Sequence, residues 1–118
     1  MQLKNTNADL TRGATAPFTL VVDTNADLST WKVTFTLRTE VCQTGNPLLT
    51  FDNEDERMTV SGHTVGVVLS PSDTYDIPEN CKMVYIQLLL EKDGVVDATW
   101  IYSIGVMPNL LPEGGQQT

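Results

Sequence analysis

The sequence is short of positive charge and of long apolar segments, and each shortage excludes a class of protein. Seven Lys and Arg residues against fifteen Asp and Glu residues give a formal net charge of −8. This balance argues against a nucleic-acid backbone or an anionic membrane as the partner. No apolar run approaches a membrane span, and the start, Met-Gln-Leu-Lys, lacks the apolar core of a signal peptide. We therefore expect a protein made and kept in a cytoplasm, or assembled there into something larger.

Residues that could carry catalysis or bind a metal are equally scarce. The one histidine, His63, would have to serve any nucleophile pair or triad, and it lies in a Ser-Gly-His-Thr turn. The acidic run 52–56 lacks the spaced ligands, the glycine and the distal glutamate of a calcium loop. The two cysteines, Cys42 and Cys81, do not have the spacing of a zinc site with His63. We therefore predict no enzymatic activity, no metal and no cofactor.

What the sequence does contain is alternation of apolar and polar residues, which is typical of half-buried strands. It is clearest at Thr30–Thr39, where Trp31, Val33, Phe35 and Leu37 point one way. About seven strands with frequent turn signals predict an all-β, antiparallel two-sheet sandwich. The predicted strands are Thr15–Val22, Thr30–Thr39, Leu48–Phe51, Arg57–Val60, Thr64–Leu69, Lys82–Glu91 and Val95–Val106.

The 118 residues are enough for one core and divide into three parts. We expect an N-terminal arm at residues 1–9, a β-sandwich domain at 10–111 and a flexible tail at 112–118. A helical turn is predicted at Ser72-Asp73. If consecutive strands reverse direction, the second and sixth strands run the same way. That separates Cys42 from Cys81 by roughly 25–30 Å, beyond the ~7 Å limit for a disulfide, so we expect two free thiols.

The long hairpin from Lys82 to Val106 can form in two registers. A two-residue Asp93-Gly94 turn pairs Leu90 with Asp97, which splits the apolar residues between the two faces. A three-residue loop, Lys92-Asp93-Gly94, places the strong apolar residues together on one face, and this loop is our prediction. Its register pairs Leu90 with Val96, Leu88 with Ala98, Ile86 with Trp100 and Val84 with Tyr102.

In the predicted register, the outward face of this hairpin is too apolar for a freely solvated sheet, and such patches usually mark protein contacts. The alternative is that the arm around Leu3 or the tail from Met107 to Leu111 covers it. The sequence leaves these two possibilities open. The candidate interface residues are Met83, Tyr85, Leu89, Val95, Ile101, Met107, Leu110 and Leu111.

Three segments resemble small immunoglobulin-like proteins of tailed bacteriophages, including the N-terminal domain of baseplate upper proteins. Residues 10–20 (LTRGATAPFTL) resemble the opening of that family, and residues 27–35 (DLSTWKVTF) resemble its alternating strand. Residues 67–74 (VVLSPSDT) are similar to the turn that leads into its hairpin. The resemblance covers about residues 10–111 and implies an immunoglobulin-like β-sandwich without catalytic residues.

The same resemblance implies a virion structural protein. Since no coiled or receptor-binding module follows residue 118, we expect a capsid-decorating, head-associated or head–tail subunit. Its partners would be other virion proteins, with homo-oligomers on a symmetric scaffold as one form. A tail or baseplate component is the first alternative, and a carbohydrate-binding β-sandwich is the second. The aromatic residues that could stack on a sugar are Trp31, Trp100, Tyr75, Tyr85 and Tyr102.

Overall fold

Two β-sheets enclose one apolar core in the computed structural model, which describes residues 3–5, 9–39, 47–78, 80–99 and 102–107. One sheet has four strands in the order β1-β3-β7-β6, and the other has six, in the order β2-β10-β8-β4-β5 with β9 also paired to β8. The strands are β1 (Leu3–Asn5), β2 (Asp9–Thr11), β3 (Ala16–Val22), β4 (Lys32–Arg38), β5 (Leu49–Asp52), β6 (Met58–Ser61), β7 (Thr64–Leu69), β8 (Met83–Lys92), β9 (Val95–Ala98) and β10 (Tyr102–Met107). The predicted all-β, two-sheet class is confirmed.

The core is built from the alternating apolar residues of the central strands. On β4 the side chains of Val33, Phe35 and Leu37 are fully buried, as the alternation predicts. The inward residues of β8 and of β3 and β7, the two central strands of the other sheet, supply most of the remaining core. They are Val84, Ile86, Leu88, Leu90, Phe18, Leu20, Val22, Val65, Val67 and Leu69. Burial of each large side chain contributes roughly 1.5–3 kcal/mol, so slipping one strand by a residue would be costly.

The described chain has ten strands where the sequence predicted about seven. One additional strand, β1, lies in the segment predicted as an N-terminal arm, and a second, β2, begins at the last residue of that segment. β1 pairs antiparallel with β3, and β2 pairs parallel with β10, which places one strand in each sheet. The third arises because the second strand of the long hairpin is divided into β9 and β10.

The expected separation of the two cysteines rests on a wrong prediction, namely that the second and sixth predicted strands run in the same direction. β4 and β8 are antiparallel neighbours, with Arg38 opposite Tyr85, and do not run the same way. Reversal holds only between hairpin-connected strands, and the chain changes sheet after β5 and again after β7. Cys81 is a free thiol that donates to the carbonyl of Met83 at 3.0 Å. Cys42 lies outside the described residues.

The predicted three-residue hairpin loop is also wrong. Leu90 pairs with Asp97 and Lys92 with Val95, so the turn has two residues, Asp93 and Gly94. Both have positive φ, 50° and 81°, as a tight hairpin of this twist requires. The predicted pairings of Leu90 with Val96, Leu88 with Ala98 and Val84 with Tyr102 do not form.

A bulge at the end of β9 lets the chain use this turn without exposing its core residues. Leu89 pairs with Ala98 and Ile86 with Tyr102, so the two β8 residues between these pairs are matched by three on the other strand. At the bulge, the buried hydroxyl of Thr99 accepts the N–H of Leu88 at 3.0 Å. The extra residue shifts the register, so that Ile104 lies opposite Val84 and both are buried. Trp100 lies outside the described residues.

The predicted helical turn forms as α1 (Pro71–Tyr75). Ser70 and Asp73 form a reciprocal capping box at its start, which satisfies two backbone N–H groups. The buried hydroxyl of Thr74 donates to the carbonyl of Ala14 at 2.8 Å and ties α1 to the turn before β3. Within the described part of the chain, no helix is long and apolar enough to cross a membrane.

Candidate interaction surface

The outward side of the six-stranded sheet, which we call the outer face, carries an unusual number of exposed apolar side chains. Strand alternation along β8 turns Met83, Tyr85 and Leu89 outward, because their neighbours Val84, Ile86, Leu88 and Leu90 are buried. The side chains of Met83 and Leu89 are 43% and 36% exposed, and Tyr85 is partly buried. Alternation along one strand is a local property, and this part of the sequence prediction is confirmed.

Val96 and Met107 extend this group across the neighbouring strands. Val96 lies opposite Glu91 on the outer face and is 59% exposed. Met107 is 49% exposed, and alternation from the buried Ile104 turns it to the same face. We name Met83, Tyr85, Leu89, Val96 and Met107 the apolar strip.

The two-residue turn changes which hairpin valine belongs to the strip. Val95 was predicted on the outer face, but it pairs with Lys92 and therefore lies on the side of Leu90, at the hairpin tip. Val96 and Ala98, predicted to face the core, are exposed instead. The Asp93-Gly94 dipeptide is the signal that could have identified Val96, since this pair favours a two-residue turn. Ile101, Leu110 and Leu111 lie outside the described residues.

Polar and charged groups surround the strip without adding net charge to it. Gln87, in the middle of the β8 outward row, donates its amide N–H to the carbonyl of Thr99 at 2.7 Å. The outward strand residues with described charged side chains are two basic and two acidic, namely Lys32, Arg38, Asp52 and Glu91. The described charged side chains of the outer face therefore balance in sign.

The acidic run 52–56 is organised around a cation of the protein itself. The guanidinium of Arg57 binds the carboxylate of Asp55 through two N–H groups, at 3.0 and 2.9 Å, and that of Asp73 at 3.0 Å. It also lies over the ring of Phe51, 4.1 Å from the centroid. This Arg57 cluster fastens the β5–β6 turn to the start of α1.

The Arg57 cluster favours the ionised form of both carboxylates. Hydrogen bonds from the Arg57 side chain and backbone lower the pKa of Asp55 to about 2. Burial of Asp73 opposes its ionisation, but hydrogen bonds from Ser70 and Arg57 outweigh this and hold its pKa below the usual value. Both carboxylates thus serve as structural partners of Arg57. In the described part of the chain, no group of three or more His, Cys, Asp or Glu residues could hold a metal ion.

The residues considered for catalysis or sugar stacking occupy separate places. His63 is exposed in the turn between β6 and β7. Trp31 is partly buried against the core, and Tyr75 lies under the guanidinium of Arg12, 4.2 Å from the ring centroid. Tyr85 lies on the outer face. The described residues do not bring these aromatic side chains together into one platform.

Comparisons with known proteins add no family to this description. A scan against protein-family models matched none, and a search of curated proteins found no similar sequence. The resemblance to phage virion proteins therefore stays a prediction based on the three quoted segments.

Proposed function

We propose that this chain is a non-enzymatic structural subunit that binds other proteins of an assembly through its outer face. The observation that carries the proposal is the apolar strip, in which Met83 and Met107 are exposed near one end of β8 and Leu89 and Val96 near the other. Exposed apolar groups concentrated on one surface are characteristic of protein contact sites. Neighbouring methionine side chains also suit such a surface, because they adapt to the shape of a partner.

The other sheet provides the internal comparison. The outward positions of its central part carry mainly polar or small residues, such as Thr19, Thr59 and Gly66. Val68 is the exposed large apolar residue there, at 50%. Among the described residues, the six-stranded sheet thus has more exposed large apolar side chains on its outward side than the four-stranded sheet has, which supports the outer face as the contact surface.

Charge favours a heterologous partner over random self-association through this face. Free copies, each with a formal charge of −8, repel one another at long range. The described charged side chains of the outer face are two basic and two acidic, so no net charge among them opposes the approach of an apolar surface to the strip. Repetition on a symmetric scaffold would make many weak contacts effective together.

The assembly we propose is the virion of a tailed bacteriophage, with the chain on the capsid exterior or at the head–tail region. The resemblance of residues 10–20, 27–35 and 67–74 supports this assignment and the finer fold proposal of an immunoglobulin-like β-sandwich. The two-sheet architecture and the absence of helices longer than α1 among the described residues are compatible with it.

A matched pair of variants tests the docking surface. Leu89→Glu places a charge in the apolar strip, whereas Val68→Glu makes the same charge change at an exposed apolar position on the other sheet. Each purified variant is mixed with virus particles that lack the subunit, and the bound fraction is measured by co-sedimentation. We expect Leu89→Glu to weaken binding at least about tenfold and Val68→Glu to leave it near the wild-type value.

Two outcomes count against the proposal at different levels. Equal binding of the two variants would show that the outer face is not the docking surface. Absence of the wild-type chain from purified particles, judged by mass spectrometry, would remove the virion assignment. Electron microscopy of particles carrying a labelled subunit would separate a head position from the tail or baseplate alternative.

A further inference from the structure

The outward edge of β9 differs from the interior of its sheet. Within the described ranges, β8 is the only strand paired with β9. Val95 and Val96 are 57% and 59% exposed, and residues 95–98 contain no proline or lysine. Unprotected edges of this kind pair with strands of other molecules, and natural proteins block them with specific devices.

The hydrogen bonds around Thr99 establish which backbone groups point away from β8. The N–H of Thr99 donates to the carbonyl of Leu88 at 3.0 Å, so Thr99 faces β8. Backbone groups alternate in direction along a strand, so the N–H groups of Val96 and Ala98 point to the open edge. Strand addition at this edge would have to use these two residues.

One of these two edge donors is already occupied. The carboxylate of Asp97 accepts the N–H of Ala98 at 2.8 Å. A strand added at this edge would have to displace this charge-assisted hydrogen bond. The carbonyl groups of the added strand would also lie close to the carboxylate and could not compensate its charge. The carboxylate therefore blocks half of the donors that an added strand needs.

We propose that the β9 edge is a pairing site for the same edge of a second copy of this chain, and that Asp97 keeps it closed. A twofold axis at Val96 would let its N–H and carbonyl exchange hydrogen bonds with those of the partner's Val96. The Ala98 N–H would then pair next to it once the carboxylate is gone. An isologous contact of this kind needs no second surface, and any copy presents the same edge. The proposal concerns the backbone of β9 and does not rest on docking through the outer face, although the side chain of Val96 belongs to the apolar strip.

Three full-length variants distinguish edge blocking from a change in net charge. Asp97→Ala removes both the charge and the acceptor. Asp97→Asn removes the charge but keeps a side-chain oxygen that can accept the Ala98 N–H. Asp93→Asn makes the same charge change in the neighbouring turn, at a residue with a φ of 50° that asparagine tolerates. Sedimentation velocity over a concentration series measures the dimer dissociation constant of each variant at neutral pH.

We expect Asp97→Ala to dimerise with a dissociation constant about tenfold or more below that of the wild type, and Asp93→Asn to remain near the wild-type value. Asp97→Asn should fall between Asp97→Ala and the wild type, because it keeps the acceptor for the Ala98 N–H but loses the charge. Adding Val96→Pro to Asp97→Ala should restore the wild-type state, because proline removes an outward N–H at an edge where it is tolerated. A dissociation constant for Asp97→Ala within twofold of the wild type overturns the proposal. So does equal association of Asp93→Asn, or dimerisation that survives Val96→Pro.

The blocking hydrogen bond can also be tested in the unmodified protein. Amide hydrogen exchange followed by NMR should show the Ala98 N–H exchanging at least about tenfold more slowly than an exposed amide in an unstructured chain. Exchange at the unstructured rate would mean that the carboxylate does not hold this N–H in solution. That result would overturn the proposal even if a variant failed to fold.

Discussion

The hydroxyl of Thr99 is expected to be essential for the stability of the long hairpin. It accepts the N–H of Leu88 at 3.0 Å, and both residues are buried. At the bulge, the hydroxyl takes the place of the backbone carbonyl that would accept this N–H in a regular ladder. Thr99→Val keeps the shape of the side chain but removes the acceptor. The Leu88 N–H would then be buried without a partner, which costs about 1–3 kcal/mol. For a chain of this size that lowers Tm by about 4–12 °C.

Thr99→Ser is the matched control. Serine keeps the acceptor and loses one methyl group, for which we expect a cost of about 0.8 kcal/mol. Urea unfolding gives the stability of each variant, and amide exchange of Leu88 reports on the hydrogen bond itself. Leu88 should exchange faster in Thr99→Val and as in the wild type in Thr99→Ser. If Thr99→Val is as stable as the wild type and Leu88 stays equally protected, the hydroxyl does not replace the ladder partner and the reasoning is refuted.

Three further predictions concern other parts of the molecule. Because the pKa of Asp55 is lowered to about 2, its contribution to stability is complete above the unfolded-state pKa near 4 and is lost as the pH falls from about 4 to about 2. Urea unfolding across this pH window should show that loss, and Arg57→Met should abolish it. Gly66→Ala should cost about 1 kcal/mol in thermal unfolding, since its Cβ would lie 2.9 Å from the Thr59 hydroxyl, and Thr59→Ala should relieve most of that cost. Thiol titration of the unfolded, unreduced protein should find two reactive thiols, and Cys81→Ser should remove one; fewer than two in the wild type would contradict the predicted free state.

The strands that the sequence predicted well are those defined by their own alternation. Val33, Phe35 and Leu37 face the core because neighbouring residues of one strand must point to opposite sides, whatever sheet the strand joins. The same rule placed Met83 and Leu89 outward on β8 before their neighbours were known. Three of the five residues of the apolar strip could therefore be identified from one strand alone.

Pairings between strands were harder to predict, because they depend on features that alternation does not contain. The predicted three-residue loop brings all apolar residues to one face only if the second strand is continuous. A bulge stabilised by the Thr99 hydroxyl breaks this continuity and lets the Asp93-Gly94 turn form. Val96 was assigned to the wrong face for this reason.

A local sequence pattern also cannot predict the direction of β8. The chain passes from one sheet to the other between β5 and β6, and such a connection does not require the next strand to reverse direction. Nothing in the turn residues 53–57 distinguishes a hairpin from such a crossing. The antiparallel contact of β4 with β8 is selected by the fit of two apolar faces, which depends on the complete core.

The parallel pairing of β2 with β10 has a consequence for how the molecule is made. Residues 9–11 have no neighbour in the six-stranded sheet until residues 105–107 have been synthesised and laid against β8. In the nascent chain, this early segment therefore stays unpaired until almost all of the domain has been translated. Closure between positions so distant in sequence is slow, because the entropy of a large loop is lost before any contact compensates for it. The last step of maturation should be the joining of these two distant segments, well after the β6–β7 hairpin has formed.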